Sequence, residues 1–333
     1  MSASALALVT FADELWSGVA VVAAPEVERL HAIDHAQYTF WVFAVPMLAA
    51  TLIEAPLSLL SDRWPRRRVL SVSLWALAVA LSACALAWEP WLLAAGLALA
   101  GAASGLACTT AQGELVETFA GGAQRAMSRW IAVAAAGDAV TPLVVAVSGS
   151  HRVALGLLAL LIAASALRVW RGVPMPGAAH DEDEAVVPLR AALRSALKQP
   201  RLWLLSCVAA TCILLDEVVV AMAALRLHDD YRWSEEHIAM LLTALSAGGV
   251  VGGLLNEQLL ARWSPRALMI GSALSSLVCL AGFILSPAGW IACAALCLLG
   301  VTAAAHYPLV HASAFELVPR QPGLVNALAQ LFV

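Results

Sequence analysis

The chain has 333 residues, of which 62% are hydrophobic and 13% charged, with a mean hydropathy of +0.83. Soluble domains carry about 45–50% apolar and about 25% charged residues, so a water-soluble globule is excluded and lipid must cover part of the surface. The net charge of −4, without a basic patch interleaved with aromatics, gives no ground for a nucleic-acid partner.

Only helices and closed barrels satisfy the backbone inside hydrocarbon. Barrel strands alternate apolar and polar over about 10 residues. The apolar runs here reach roughly 20 residues, the length of a membrane-spanning helix. The expectation is an all-α integral membrane protein with the lipid bilayer as its main partner.

Taken in order, the first helix is expected over about Ala5 to Ala24, ending near Pro25. Asp13-Glu14 interrupts its apolar run and no basic residue precedes Leu6, so it is read as a retained span rather than a signal peptide. The second covers about Tyr38 to Leu60. A short loop follows, with four arginines and one aspartate in the seven residues Asp62-Arg63-Trp64-Pro65-Arg66-Arg67-Arg68. The third runs from about Val69 to Ala87, and the fourth from about Trp91 to Thr110 after a Glu89-Pro90 turn. A polar segment, Gln112 to Arg129, leads to a fifth over about Trp130 to Val147 and a sixth over about Val153 to Trp170.

Composition then changes. Gly172 to Gln199 contains Pro174, Pro176 and Gly177, the acidic run Asp181-Glu182-Asp183-Glu184, and a basic amphipathic piece, Leu189 to Lys198. This linker divides the chain into an N-terminal six-helix half (1–172), a cytoplasmic linker (173–200) and a C-terminal half (201–333). Helices are expected over about Leu202 to Leu225, Ile238 to Leu260, Ala267 to Leu285 and Trp290 to Val310. An eleventh apolar segment starts near Pro322 and stops at Val333, after about 12 residues, too few to cross a bilayer. It is cut off or is a half-span. The expected total is ten complete spans and a partial eleventh.

The halves repeat each other. Asp13-Glu14 has a counterpart in Asp216-Glu217, and Asp62 to Arg66 matches Ala261 to Arg266 with one inserted residue. Repeated six-helix halves are a transporter signature. With the Asp62 loop placed in the cytoplasm, fifteen of the 19 basic residues fall on that side and four (Arg29, Arg152, Arg226, Arg232) on the other. That bias sets the N-terminus in the cytoplasm of a bacterial-type inner membrane.

At this point the loop resembles the signature between the second and third helices of the major facilitator superfamily, Gly-x-x-x-Asp-Arg-x-Gly-Arg-Arg. It stands here as Ser58-x-x-x-Asp62-Arg63-x-Pro65-Arg66-Arg67, with both glycines replaced. Arg262 to Arg266 is similar to the weaker second copy. The arginine that proton-coupled members carry in the fourth helix is absent from Leu97-Ala98-Leu99-Ala100-Gly101, and Gly137 to Pro142 is a loose echo of the antiporter signature. Relatives usually have twelve helices, so the resemblance implies that the end of the eleventh and all of the twelfth are missing.

The resemblance also implies a gate at Asp62, which would pair with a nearby arginine and with the N-terminus of the eleventh helix near Pro322-Gly323, where the helix dipole favours a negative charge. Glu114 and Glu117 lie three apart on one helix face, and one of them is the expected partner of Arg63 or Arg67, with Arg66 in the same cluster.

Acids within the apolar spans are the other candidates, because a charge at mid-bilayer costs at least about 2.5–3.5 kcal/mol. They are Asp13, Glu14, Glu54, Asp138, Asp216, Glu217 and Glu257, with no Lys or Arg at comparable depth. Glu54 and Glu257 lie closest to the loop side and are read as the least informative. Asp13, Glu14, Asp138, Asp216 and Glu217 are the candidates for substrate or proton coupling. Trp16 shares a face with Asp13, and His306 with Tyr307 is a candidate substrate contact. Most other tryptophans, from Trp64 and Trp88 to Trp263 and Trp290, sit at helix ends as an interfacial belt does.

The seven cysteines lie in apolar stretches and are expected as free thiols. No phosphate loop, His-Glu-x-x-His or paired Cys-x-x-Cys appears, so neither ATP, a metal nor another cofactor is expected. A membrane enzyme would need a nucleophile and base pair, and none is seen. The expectation is a monomeric secondary transporter of a small molecule working by alternating access, with proton-coupled export of an apolar or cationic compound ahead of uptake symport. A non-transporting sensor is the third reading.

Overall fold

The computed structural model describes residues 3–171, 193–194 and 196–332, and the side chains of residues 3–5, 214–217, 235–236 and 239 fall outside that description. The acidic run Asp181 to Glu184 and most of the expected linker lie outside the described residues, as do the side chains of Asp216 and Glu217. Among the described residues the elements are all helical. Nine are long and apolar enough to cross a membrane, or ten when a bent N-terminal pair counts as one span.

That pair is α1 (Ala3–Val22) and α2 (Ala24–His31), which meet at a bend of 58°. Pro25 explains the break. It has no N–H to return to the carbonyl one turn back, but it is tolerated in a first turn. Asp34 caps the short α3 (His35–Tyr38), accepting the Gln37 N–H at 2.8 Å. α3 runs through a π-helical turn, Thr39–Ala44, into α4 (Val45–Ser61). The wide turn precedes Pro46, which cannot bond the Val42 carbonyl, and the Val45 N–H reaches back to Phe40 instead.

Next come α5 (Arg66–Leu86), α6 (Pro90–Thr118), α7 (Ala123–Ser148) and α8 (His151–Trp170). The polar segment expected over Gln112 to Arg129 is helical at both ends and turns only at Phe119 to Gly122. Its polarity marks buried packing rather than a loop, since Gln112 and Glu114 are both buried. Gly122 supplies the positive φ, 85°, that lets α7 start at once.

The second half holds α9 (Pro200–Asp229), α10 (Glu235–Leu259) and α11 (Pro265–Leu285). α12 (Gly289–Ala303), α13 (His306–Leu317) and α14 (Pro322–Gln330) complete it. The span expected over Trp290 to Val310 falls within one apolar stretch long enough to cross a membrane, Gly289–Leu317, interrupted at Ala304-Ala305 before Pro308, which again lacks the N–H that would continue the helix.

α10 carries four glycines on two adjacent stripes. A Cβ on Gly248 would lie 2.7 Å from the Cys297 carbonyl of α12. One on Gly253 would lie 2.9 Å from the Ala132 N and the Ser128 carbonyl of α7. Bare backbone therefore lets α10 wedge between its own half and the first half, as small residues do wherever membrane helices approach closely.

Two large apolar cores result, with a small third cluster of Leu268, Ala305 and Leu309. The larger is built on α1 and α4–α8 but takes in Leu202 of α9, Ala312, Ala314 and Phe315 of α13, and Leu324, Val325 and Leu328 of α14. The second, around Leu227, Leu241, Phe283 and Leu296, is formed by α9–α12 alone. The chain halves thus share a core at the end of the bundle where the Asp62 loop lies. At the other end the second half packs only on itself.

Arginines close several helix C-termini, where unpaired carbonyls and the dipole favour a cation. Arg67 donates to the Val169 carbonyl at 3.0 Å and to Trp170 at 2.6 Å, Arg152 to Ala87 at 2.6 Å, and Arg226 to Phe283 at 2.8 Å. Trp64, Trp88, Trp91, Trp170, Trp263 and Trp290 are exposed at helix ends, whereas Trp130 is buried and Trp203 half-buried. Those two pack inward because their helix faces look into the shared core.

Candidate functional site

α4 ends on a polar stripe. Glu54, Ser58, Ser61 and Asp62 recur at helical spacing, and this face meets α14. Asp62 accepts the backbone N–H of Gly323 at 2.8 Å and of Leu324 at 2.9 Å. These are free donors of a first helical turn, which suit an anion. Asn326 donates to Glu54 at 2.7 Å and to Ser58 Oγ at 3.3 Å. Gly323 is the residue that permits the contact, because a Cβ there would collide with the Ser58 carbonyl.

Arg66, not Arg63 or Arg67, is the partner of the two glutamates. It reaches Glu114 at 3.2 Å and grips Glu117 with two bonds of 2.9 and 2.6 Å. The reason is helical phase. Arg66 opens α5 on the side facing α6, Arg67 points to the end of α8, and Arg63 is exposed in the turn with no side-chain partner among the described residues. Burial pushes the Asp62 carboxyl up to about 6, against the pull of the Gly323 and Leu324 N–H groups and of Arg66, with Glu117 adding to the rise.

That value sets a pH dependence. The closed arrangement holds the Asp62 proton to higher pH than a solvated aspartate does. Closure through this residue is therefore strengthened as pH falls through about 6 toward the solvated value near 3.8, and this contribution is absent above about 6. Asp62→Asn is expected to flatten that part of the closed-state population measured against pH, for example by interprobe distance. An unchanged curve would remove Asp62 from the linkage.

Two further contacts join the halves at this end. Arg129 of α7 holds Glu257 of α10 through two bonds, 3.1 and 2.5 Å, with its guanidinium 4.9 Å from the Phe119 ring centre. Gln124 donates to Glu316 at 2.8 Å. Glu257 was expected to lack a cation at its depth. The arginine at the start of α7 reaches it because α10 crosses so closely on its glycines. Arg129 is 39% exposed, so a double-mutant cycle on Arg129→Ala and Glu257→Ala is expected to give a coupling of about 1 kcal/mol in the closed-state population. A coupling of zero would make the pair incidental.

At the opposite end, among the described residues, the side-chain bonds stay within one half. The His151 N–H meets Glu26 at 2.8 Å, and Tyr231 donates to Ser286 at 2.7 Å. The bundle is closed at the Asp62 end and parted at the other.

Between the ends sit the interior acids of α1 and α7. Asp13 Oδ1 accepts Ser104 Oγ at 2.6 Å and Trp16 Nε1 at 3.0 Å, and its Oδ2 faces Cys108 Sγ at 3.5 Å. The Glu14 and Asp138 carboxyls face each other between α1 and α7, and like charges so placed favour one proton between them. Gly137 allows α1 this close, since a Cβ there would lie 2.8 Å from Glu14 Cβ. Asp138 is exposed, on the arc of α7 between the α1-facing Gly137 and Thr141 and the α10-facing Ala132 and Ala135.

His306 does not join this group. Its Nε2 lies 3.5 Å from Ser276 Oγ, and the ring also bonds the Ser272 backbone, both on α11. Tyr307 does approach it, bonding Gln112 of α6 and stacking on His311 with ring centres 4.8 Å apart. Sequence reasoning missed Ser104, Cys108 and Gln112 on α6. Each is unremarkable alone in an apolar helix, and their regular spacing of four residues was the available signal.

A long-helix bundle with two repeated acidic and basic loops, sealed by polar contacts at one end and holding acids at its centre, is the architecture of a membrane carrier. The chain belongs to the Major Facilitator Superfamily, whose family model matches residues 6–333. Its fold is similar to that of the E. coli transporter FucP in its outward conformation, with TM-score 0.73 and 15% identity over 100% of this chain and 88% of that one. A bacterial homologue of the iron transporter ferroportin, outward-facing, gives 0.73 and 15% over 99% and 88%. The human organic anion transporter MFSD10 gives 0.72 and 15% over 100% and 90%. No curated protein matches the sequence.

Proposed function

We propose that this protein is a secondary active transporter that moves a small molecule across the membrane by alternating access, coupled to protons through Asp13, Glu14 and Asp138. One observation carries the reading. Two carboxyls from different helices, Glu14 of α1 and Asp138 of α7, meet between the ends of the bundle beside Asp13, whose own partners Trp16, Ser104 and Cys108 include no cation. Protonation exchanges with water at an open end, and closure at the other end keeps the proton from leaking through. Residues 1–172 and 201–333 act as the two rocking halves, with 173–200 as the linker between them. The Lys/Arg bias supports a cytoplasmic position for the closed Asp62 end.

Export of an apolar or cationic compound fits the acidic centre and its Ala, Val and Leu surroundings. Uptake symport uses the same proton site, and the direction of flux decides between them. The test uses the purified full chain in vesicles carrying a pH gradient, with tetraphenylphosphonium and ethidium as probes. Gradient-driven movement that Asp138→Asn abolishes supports the reading. Movement that ignores the gradient, or survives Asp138→Asn unchanged, overturns the coupling.

A further inference from the structure

Glu54 is set apart from the other acids by what surrounds it. It is 7% exposed, yet it sits on the face of α4 that meets the other half of the chain. Its carboxyl occupies space that exists only because residue 105 of α6 is glycine, where a Cβ would collide with it. From α14 it receives Asn326 at 2.7 Å and a bond from Gln330. Both are neutral amides. The titratable groups facing it are Asp13 from α1, Cys108 from α6 and Tyr307 from α13, with Asp62 two turns further along its own helix. None of these is a cation. A carboxylate held away from water without a cation is costly, and amide donors offset only part of that cost.

We propose that Glu54 is a proton-operated switch for the Asp62 end: protonated, it lets α14 seat on α4, and ionised, it drives α14 away. The proposal rests on the alternating-access reading but not on Asp13, Glu14 or Asp138. Opening at this end lifts Asn326 and Gln330 off and lets water reach the carboxyl. The proton is then released to that side, and closure takes one up again. The site that carries the proton across and the latch that decides which end is open are thereby tied through one buried acid.

The test needs no substrate. Azide-bearing residues at positions 64 and 263, both exposed loop sites in the wild type, carry a fluorescent distance pair and leave the seven cysteines intact. The full chain is placed in nanodiscs and titrated from about pH 6.5 to about pH 8, above the range in which Asp62 contributes, and a single linked proton changes the open-to-closed ratio by up to about tenfold per pH unit. The expected result is opening as pH rises, retained in Asp62→Asn and lost in Glu54→Gln, which stays closed throughout. Glu54→Gln keeps the size and the bond to Asn326, so its folding is checked by an unchanged distance at the acid end of the range. A titration in Glu54→Gln that matches the wild type, or no titration in the wild type, overturns the proposal. Loss of vesicle flux in Asp138→Asn with this titration intact would separate the switch from the coupling site.

Discussion

Asp13→Asn is expected to reduce gradient-driven transport to the leak of empty vesicles while leaving the protein folded. The side chain keeps its size, and its oxygen still accepts Ser104 Oγ and Trp16 Nε1, which now meet Asp13 at 2.6 and 3.0 Å. What disappears is the ability to bind and release a proton. Asp13→Leu is expected to do something different. It strands two donors in a buried site, at about 1–3 kcal/mol for each unsatisfied group. Its thermal transition should fall clearly below that of Asp13→Asn. Flux and thermal unfolding measured on both variants separate the chemical role from the packing role. Wild-type flux in Asp13→Asn would leave the carboxyl with a structural role alone.

The second large effect is expected at the seam between α7 and α10. Gly253→Leu places a side chain where even a Cβ would be 2.8 Å from Ala132 Cβ and 2.9 Å from the Ser128 carbonyl. Overpacking of this kind costs about 1–3 kcal/mol, and here the cost falls on the closed state alone. Each 1.4 kcal/mol is a factor of about ten, so the closed population should drop by roughly tenfold to hundredfold. The Arg129–Glu257 pair, one turn away, would part with it. Gly271→Leu is the control, because nothing lies within 4 Å of a Cβ at that position. The interprobe distance at the Asp62 end is the measurement, and equal effects of the two variants would show that the seam does not govern closure.

Much of the architecture was legible beforehand because it depends on local quantities. An apolar run either is or is not long enough to cross a bilayer, and Pro25 and Pro308 mark helix breaks wherever they fall in a pattern. Pro308 interrupts the hydrogen-bonding of its helix, yet the stretch Gly289–Leu317 still counts as one span, as its apolar length alone predicts. Gln112 to Arg129 was taken as a polar connection because polar residues near a helix end look alike whether they face water or a packed interior. The glycine pairs of α10 carry no local signal of their role, yet Gly249 and Gly253 bring α10 against α7 of the other half, while Gly248 and Gly252 seat it on α12 of its own.

The partners of charged residues were harder still. Asp62 and Arg66 stand in one short loop, yet their partners come from different helices, Gly323 and Leu324 of α14 and Glu114 and Glu117 of α6. Nothing local in sequence gives Glu257 a cation, and Arg129 reaches it only because α7 and α10 cross. Glu54 was discounted for its nearness to the loop, and became the most enclosed acid of the α4–α14 seam once α14 lay over it.

By itself, then, the sequence determined that this is a helical membrane protein with repeated acidic and basic landmarks, because hydrophobic length and charge bias act residue by residue along the chain. Only the tertiary structure decided which end is closed, which arginine holds which glutamate, and which acids meet. Those outcomes depend on contacts such as Asp62 with Gly323, 261 residues apart, and are set by how closely small residues allow helices to approach.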